Sequence, residues 1–390
     1  MKVCIVTTAF PRWPEDDRGT FVIGAARALR AQGVDVRVVS IHSPGAKTRE
    51  SFDSIDVIRP RYLWPERLEI LQRDSGGMPI MLRKNRLLWL AIPPFFAAQA
   101  IATARYARDC DLIHANWTLS AAVAWATSAF HRRPFIATVQ GSDIFETRRL
   151  AILKWLNRIA LRRCSRILAL SQSLADATFA LGLPRDRIEI VPNGVDTRRF
   201  QPSPDTREPL ILTVGSLIER KGMKYLIQAM PQILYHCPNY RLVIVGEGPL
   251  WSSLSDLAQS LGVADRITIT GYQTHAQVSD WMRRASLFVL PSVEEGLGVV
   301  LLEALATGIP CVATRVGGIP DVITQDVGVL VPPADPAALA VSVSDLLRDP
   351  IRLDIMRGNA RRHAVEQYSW DVIAGRLIKI YEATLARSRS

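Results

Sequence analysis

Two rhythms of apolar and polar positions alternate along this chain. Short runs dense in β-branched residues, "KVCIVTT", "VDVRVVSI", "DLIHA", "PFIATV" and "RILALS", recur through the first half and read as buried strands. Between the first two, "RGTFVIGAARALRAQG" spaces its apolar residues three and four apart and closes on Gly33, which predicts an amphipathic helix. The second half repeats this grammar, with "LILTVGSL", "YRLVIVGEG", "RITITGY", "LFVLPS" and "PCVATRVGG" as strands. "MKYLIQAMPQIL", "GPLWSSLSDLAQSLG" and "AQVSDWMRRA" are the helices between them, and "YSWDVIAGRLIKIYEATLARS" is a long helix after a break. Alternating strands and helices predict parallel sheets covered by helices, an α/β fold.

The turn-rich stretch "DRIEIVPNGVDTRRFQPSPDTREP" separates the two blocks, placing a hinge near residues 192–208. A length of 390 residues agrees with two domains. Two doubly wound domains in tandem put their strand C-termini in a position to face each other across a cleft, which favours a nucleotide-linked substrate on one side and its partner on the other.

Composition excludes several classes. With 48% apolar and 22% charged residues the chain is globular rather than disordered or fibrous. Cys4, Cys110, Cys164, Cys237 and Cys311 lack ligand spacing, which argues against a disulfide framework and a zinc site and favours a reducing cytoplasm. "MKVCIVTTAF" lacks the apolar core of a signal peptide and reads as a first strand.

The net charge of +11 is uneven: residues 1–200 hold 30 Lys and Arg against 18 Asp and Glu, residues 201–390 hold 18 against 19. An anionic membrane surface, an anionic substrate or a solvated basic face each account for the excess, while no nucleic-acid module is recognisable. The uncharged run Leu87–Ala104 is long enough to span a bilayer, but Pro93 and Pro94 favour a buried or interfacial segment. "MLRKNRLLWL" before it suits contact with an anionic bilayer or ordinary helix packing.

The densest chemistry lies in "PSVEEGLGVVLLEALATGIP", residues 291–310. A strand enters a glycine-containing loop, and a helix runs from near Gly298 to about Ala306. Its N-terminal N–H groups form an anion site suited to a diphosphate. Glu295 before the helix and Glu303 within it are poor ligands for phosphate but good acceptors for hydroxyls. A diphosphate flanked by hydroxyls on both sides is a nucleotide sugar; the alternative is a solvated helix start with dipole-favoured acids. "VGSLIERKGMKYLIQA" adds Arg220 and Lys221 at another strand end, where they would meet the diphosphate. "VGEGPL" is not a complete GxGxxG, and there is no Walker motif.

Together these residues resemble the family-4 retaining glycosyltransferases of GT-B fold, the glycosyl transferases group 1. Glu295 and Glu303 match the E-x7-E signature and "GSLIERKG" the GxLxxxKG element, with "VPNGVD", "DLIHANW", "TVQGSD" and "YSW" in support. The resemblance implies two Rossmann-like domains facing across a cleft. Residues 1–192 plus the terminal helix 370–390 form the acceptor side, and 208–369 bind the donor. It implies transfer of a sugar from a UDP- or GDP-linked donor to a glycan or lipid-linked acceptor, with retained configuration and no required metal or other cofactor. By position, Lys221 contacts the diphosphate, Glu295 the transferred sugar, Glu303 the ribose, Gly298 and Val299 the phosphates or sugar, and Tyr272 the base. Gly19 lies where the first-domain loop nears the diphosphate, as a single glycine after "PEDD" where the family has a pair. Ser216 stands where the family often has arginine, with Arg220 available to compensate. Gln140 stands where many members have histidine; its amide orients a hydroxyl but takes no proton. His114 and Asp143 complete the acceptor-side set.

The activity so implied is that of a hexosyltransferase in polysaccharide or glycolipid synthesis, cytoplasmic and peripheral at the inner membrane. A soluble disaccharide synthase, a glycoside phosphorylase and an inactive partner subunit are the alternatives.

Overall fold

The computed structural model describes residues 1–13, 16, 18–71, 85–145, 151–203 and 207–389. Residues 14, 15 and 17 of the acidic loop, 81–84 of the basic stretch and 204–206 of the inter-block stretch lie outside the described residues.

The chain divides into two compact units: residues 1–170, 174–191 and 373–390 form the first, residues 171–173 and 192–372 the second. The first holds β1 (Lys2–Val6), β2 (Asp35–Val39), β3 (Arg49–Phe52), β4 (Ile55–Ile58), β5 (Leu112–Asn116), β6 (Phe135–Val139), β7 (Arg166–Ala169) and β8 (Ile188–Ile190). They form one sheet in the order β3-β4-β2-β1-β5-β6-β7-β8. All pairings are parallel except β3 with β4. The second unit is an all-parallel sheet of β9 (Leu210–Val214), β10 (Arg241–Val245), β11 (Ile267–Ile269), β12 (Leu287–Leu290), β13 (Cys311–Thr314) and β14 (Gly328–Val331), in the order β11-β10-β9-β12-β13-β14.

Every residue of β5, β6, β12 and β13 is buried, so these strands show no in–out alternation; β12 is apolar throughout, and the buried polar residues of the others, His114, Asn116, Thr138 and Thr314, are exceptions in largely apolar runs. The helix Met223–His236 buries Met223, Leu226, Ile227, Met230 and Ile233 on one side of the second sheet, spaced three and four apart as one helical face requires. The helix Trp370–Arg389 begins in the second unit, and its residues from Ile373 on belong to the first.

Four strands depart from the periodicity reading; one of them, β8 (Ile188–Ile190), falls inside the stretch read as turn-rich and pairs in parallel with β7. β3 and β4 form a hairpin whose turn residues, Asp53 and Ser54, both have positive φ (51° and 62°), a conformation the sequence does not advertise because neither is glycine. β14, "GVLV", is four residues long and is recruited by its neighbour β13. Pro93 and Pro94 sit in the first turn of the helix Ile92–Tyr106, where proline is tolerated, rather than interrupting it. Leu87–Tyr106 is the one helical stretch among the described residues long and apolar enough to cross a membrane, and 33% of its most apolar window is buried within the fold.

In each sheet the chain winds outward one way and then returns to the other side of its first strand. The reversal falls between β1 and β5 in the first unit and between β9 and β12 in the second. Loops leaving the C-terminal ends of strands at such reversals part, and ligands bind between them.

Candidate active site

In the second unit the loop leaving β9 makes a single 3-10 turn, Glu219–Lys221, and then starts the helix Met223–His236. Gly222 between them has φ 65°, and a Cβ there would stand 2.0 Å from the carbonyl oxygen of Pro291. Only glycine lets this loop press so closely on the loop leaving β12. The two loops are tied by backbone: the amides of Val293 and Glu294 both donate to the carbonyl of Arg220, at 2.8 and 3.2 Å. The result is a contact across 74 residues of sequence, Lys221 Nζ donating to Glu295 Oε2 at 2.5 Å. The side chains are 15% and 12% exposed.

Glu295 also accepts from the Gly296 amide at 3.2 Å and, through Oε2, from Ser292 Oγ at 3.4 Å. Burial alone pushes its carboxyl pKa up. The charge and hydrogen bond of Lys221, the nearby Arg220 and the Gly296 amide outweigh that and hold it below the usual carboxylate range. Lys221 and Glu295, expected on different parts of one ligand, are thus partners in a single ion pair.

Immediately after, Gly298 forms the N-terminus of the helix Val299–Ala306 without a side-chain cap. The helix start adjoins the ion pair: an ideal Cβ on Gly298 would lie 3.5 Å from Glu295 Cγ. Uncapped N–H groups and an ammonium group therefore share one place, the arrangement that binds anions. Glu303 lies within this helix, 3.6 Å from Nε2 of His275, whose ring meets Phe200 edge-on. Ser216 lies in the loop leaving β9. Tyr272 is 54% exposed and follows Gly271, which bridges to Gly246 at the end of β10. The "VGEGPL" turn packs backbone to backbone on the β9 loop, Leu217 donating to the Glu247 carbonyl at 2.9 Å.

Four further features bear on the site, and of these only the Thr274-x-x-Gln277 spacing before His275 is legible in the sequence. His275 follows Thr274, the N-cap of a capping box with Gln277. Gly317 presses on Glu295: a Cβ there would come within 1.7 Å of the Glu295 carbonyl oxygen. Arg207 and Arg361 secure the far end of the helix that holds Glu303. Arg207 Nη2 donates to the Thr307 carbonyl and Arg361 Nη1 to that of Ala306, each at 2.7 Å. These carbonyls have no partner inside the helix, so guanidinium groups suit them. Burial pulls the Arg207 pKa down to about 10.

In the first unit, Gly19 (φ 60°) is the N-cap of the helix Thr20–Ala31, and a Cβ on it would lie 2.5 Å from the Ala9 carbonyl oxygen beyond β1. At the ends of β5 and β6, one carboxylate ties two loops. Asp143 Oδ1 accepts from the amides of Gln140 and Gly141, and Oδ2 from that of Thr118, each at 3.0 Å. Burial raises its pKa to about 6 against the pull of those amides. Gln140 Nε2 donates to Asn116 Oδ1 at 3.3 Å. Between Asn116 and Thr118, Trp117 has φ 67° and ψ 155°, a region nearly confined to glycine that costs on the order of 1–3 kcal/mol for other residues. Its amide donates to the Thr138 carbonyl at 2.9 Å, and its ring meets Phe21 edge-on with centroids 5.4 Å apart.

His114 on β5 is buried, with Nδ1 at 2.7 Å from the Tyr381 hydroxyl and Nε2 at 2.7 Å from Thr138 Oγ1. Burial lowers its pKa to about 4 from 6.5. The unfolded chain therefore binds the proton more readily between those values, and acidification from pH 6.5 to 4 costs the fold about 3 kcal/mol at this one residue. Asp143 acts oppositely, its raised pKa adding stability as pH falls from 6 towards 3.8. Expected in thermal melts is a smaller loss of Tm between pH 7 and 4.5 in His114→Gln than in the wild type. Parallel profiles would show that His114 does not titrate in this way.

Two α/β units with largely parallel sheets, each with polar and glycine-rich loops at its reversal point, have the architecture of the GT-B enzymes. Residues 19–199 match the glycosyltransferase family 4 and residues 195–363 the glycosyl transferases group 1; the chain is a GT-B glycosyltransferase related to these two families. It is 34% identical over 216 residues to a GDP-mannose-dependent alpha-(1-6)-phosphatidylinositol monomannoside mannosyltransferase of Mycolicibacterium smegmatis, covering 50% of this chain and 56% of that one. It is 28% identical over 335 residues to an N-acetyl-alpha-D-glucosaminyl L-malate synthase of Bacillus anthracis, covering 79% and 87%. Its fold superimposes on sucrose-phosphate synthase from Thermosynechococcus elongatus with a TM-score of 0.81 at 24% identity, over 99% of this chain and 100% of that one. The chain transfers a sugar from a nucleotide-diphosphate donor to an acceptor.

Proposed function

We propose that this enzyme moves a hexose from a UDP- or GDP-sugar, with retained anomeric configuration, onto a glycan or lipid-linked acceptor of envelope polysaccharide or glycolipid. The observation that carries the proposal is the Lys221–Glu295 pair joining the loops of β9 and β12 beside the uncapped helix start at Gly298. In this reading Lys221, Arg220 and the amides of Gly298 and Val299 take the diphosphate, with Ser216 in the same loop. Glu295 holds the transferred sugar, Glu303 the ribose, and Tyr272 packs on the base. Gln140 and Asp143 serve the acceptor, and His114 supports them from its bonds to Tyr381 and Thr138.

The acceptor hydroxyl attacks from the face the diphosphate leaves. The anomeric carbon–oxygen bond to phosphate breaks, the new glycosidic bond forms, and the acceptor proton passes to the departing phosphate oxygen. Fixed cations and amides stabilise the charge on that leaving group, so no metal is required.

Membrane contact is supported by Trp64, Leu68, Leu87, Trp89 and Leu90, all exposed. They flank one small apolar cluster in which Tyr62 and Leu71 pack with Leu88 and Phe95, and Arg61 and Arg67 lie alongside. Tryptophan with basic residues suits an anionic interface at the inner face of the cytoplasmic membrane. The similarity to the malate-accepting synthase over most of this chain favours a second reading, a small soluble acceptor.

Thermal-shift and hydrolysis measurements with UDP-, GDP- and ADP-sugars, with and without magnesium, test the proposal. A donor-specific rise in Tm with metal-independent sugar release is expected. No shift with any donor would favour an inactive partner subunit. Failure to sediment with anionic vesicles at low salt would remove the membrane clause.

A further inference from the structure

Trp117 holds a strained backbone at the reversal point of the first unit. The loops leaving β5 and β6 meet there, pinned together by Asp143, whose carboxylate takes the Thr118 amide on one side and the Gln140 and Gly141 amides on the other. The backbone at Trp117 has a conformation suited to glycine, yet the residue is the bulkiest available. Core packing does not demand it, because the indole is only partly buried. Phe21 meets it edge-on at an interplanar angle of 65° rather than stacking flat on the indole. Next to it the half-buried Gln140 donates through Nε2 to Oδ1 of the buried Asn116, which fixes the Gln140 amide and leaves its Oε1 as a further acceptor.

An aromatic face with amide groups alongside is complementary to a pyranose ring, whose C–H face is apolar and whose hydroxyls need hydrogen-bond partners. We propose that Trp117 is the platform on which the acceptor is recognised, and that the accepting end of the acceptor is a pyranose stacked on its indole, with Gln140, held by Asn116, bonding its hydroxyls. This rests on the transferase reading above. Asp143 is then a positioning residue that keeps the platform and the amides in register.

The full-length enzyme would be compared as wild type, Trp117→Phe and Trp117→Gly, with the donor selected by the panel above and a set of methyl hexopyranosides as acceptors. Glycine accepts φ 67° without penalty, so Trp117→Gly is expected to melt close to the wild type and to hydrolyse donor in the absence of acceptor within about twofold of it. Its KM for the pyranoside is expected to rise about tenfold or more, with kcat changing less, while Trp117→Phe stays within about threefold. An unchanged pyranoside KM in Trp117→Gly overturns the proposal. So does a joint loss of Tm and donor hydrolysis, which would make the ring part of the fold alone. Transfer to glycerol as efficient as to any pyranoside would overturn the ligand class. A wild type that neither binds nor hydrolyses any donor would instead refute the transferase reading and, with it, this one.

Discussion

Lys221→Met and Glu295→Gln are each expected to cut sugar transfer by about 10²–10³-fold, the usual consequence of removing one preorganised electrostatic group from a site. The two variants differ in their effect on the fold. Lys221→Met strands a carboxylate that is 12% exposed, and breaking such a pair costs roughly 3–5 kcal/mol. In the wild type, Glu295 has a lowered pKa, so its contribution to stability is present above the unfolded carboxyl value and fades as pH falls through the folded one. Without Lys221 the burial influence prevails and the sign reverses: the Tm of Lys221→Met should rise on mild acidification, as the carboxyl takes up a proton. The double variant Lys221→Met/Glu295→Gln removes both charges, recovers most of the lost stability and remains inactive. Wild-type turnover in either single variant would show that the pair is structural.

Gly317→Ala is expected to be the most damaging single methyl in the second unit. The added carbon would sit 1.7 Å from the Glu295 carbonyl oxygen and 2.8 Å from its carbonyl carbon, at a φ of 52°. Neither atom belongs to a flexible side chain, so the backbone that presents Glu295 has to move. A loss above about 3 kcal/mol, together with loss of the donor-induced shift in Tm, follows from clash and left-handed strain combined. Gly358→Ala is the matched control. Gly358 lies in the helix Pro350–His363 with no atom within 4 Å of its added carbon, and alanine there should stabilise by about 0.5–1 kcal/mol. Equal Tm values for the two variants would contradict the close approach of the 317 loop to Glu295.

The contrast between these glycines shows where the sequence is legible. Strands buried on both faces announce themselves as largely apolar runs, which is why β1, β6, β12 and β13 are readable in the sequence. The Asp53–Ser54 hairpin is not, because its turn uses residues that usually avoid positive φ. In the site, Lys221 and Glu295 each stand out beside a glycine at a strand end, but their pairing across 74 positions is a product of sheet order. Arg207 and Arg361 read as surface charge, and only the fold surrounds them with backbone carbonyls. Trp117 closes the "DLIHANW" segment, but only its backbone angles set it apart.

The bond between His114 and Tyr381 joins positions 267 residues apart, and residues 373–389 of the terminal helix count with the first unit. During translation that helix leaves the ribosome only after the whole second unit has been made. The imidazole of His114 therefore lacks its Tyr381 partner until the later domain has been made. The usual order, in which the domain made first also finishes first, is inverted. Cutting the chain after residue 363, where the second family match ends, would remove the tyrosine and leave the earlier half unfinished.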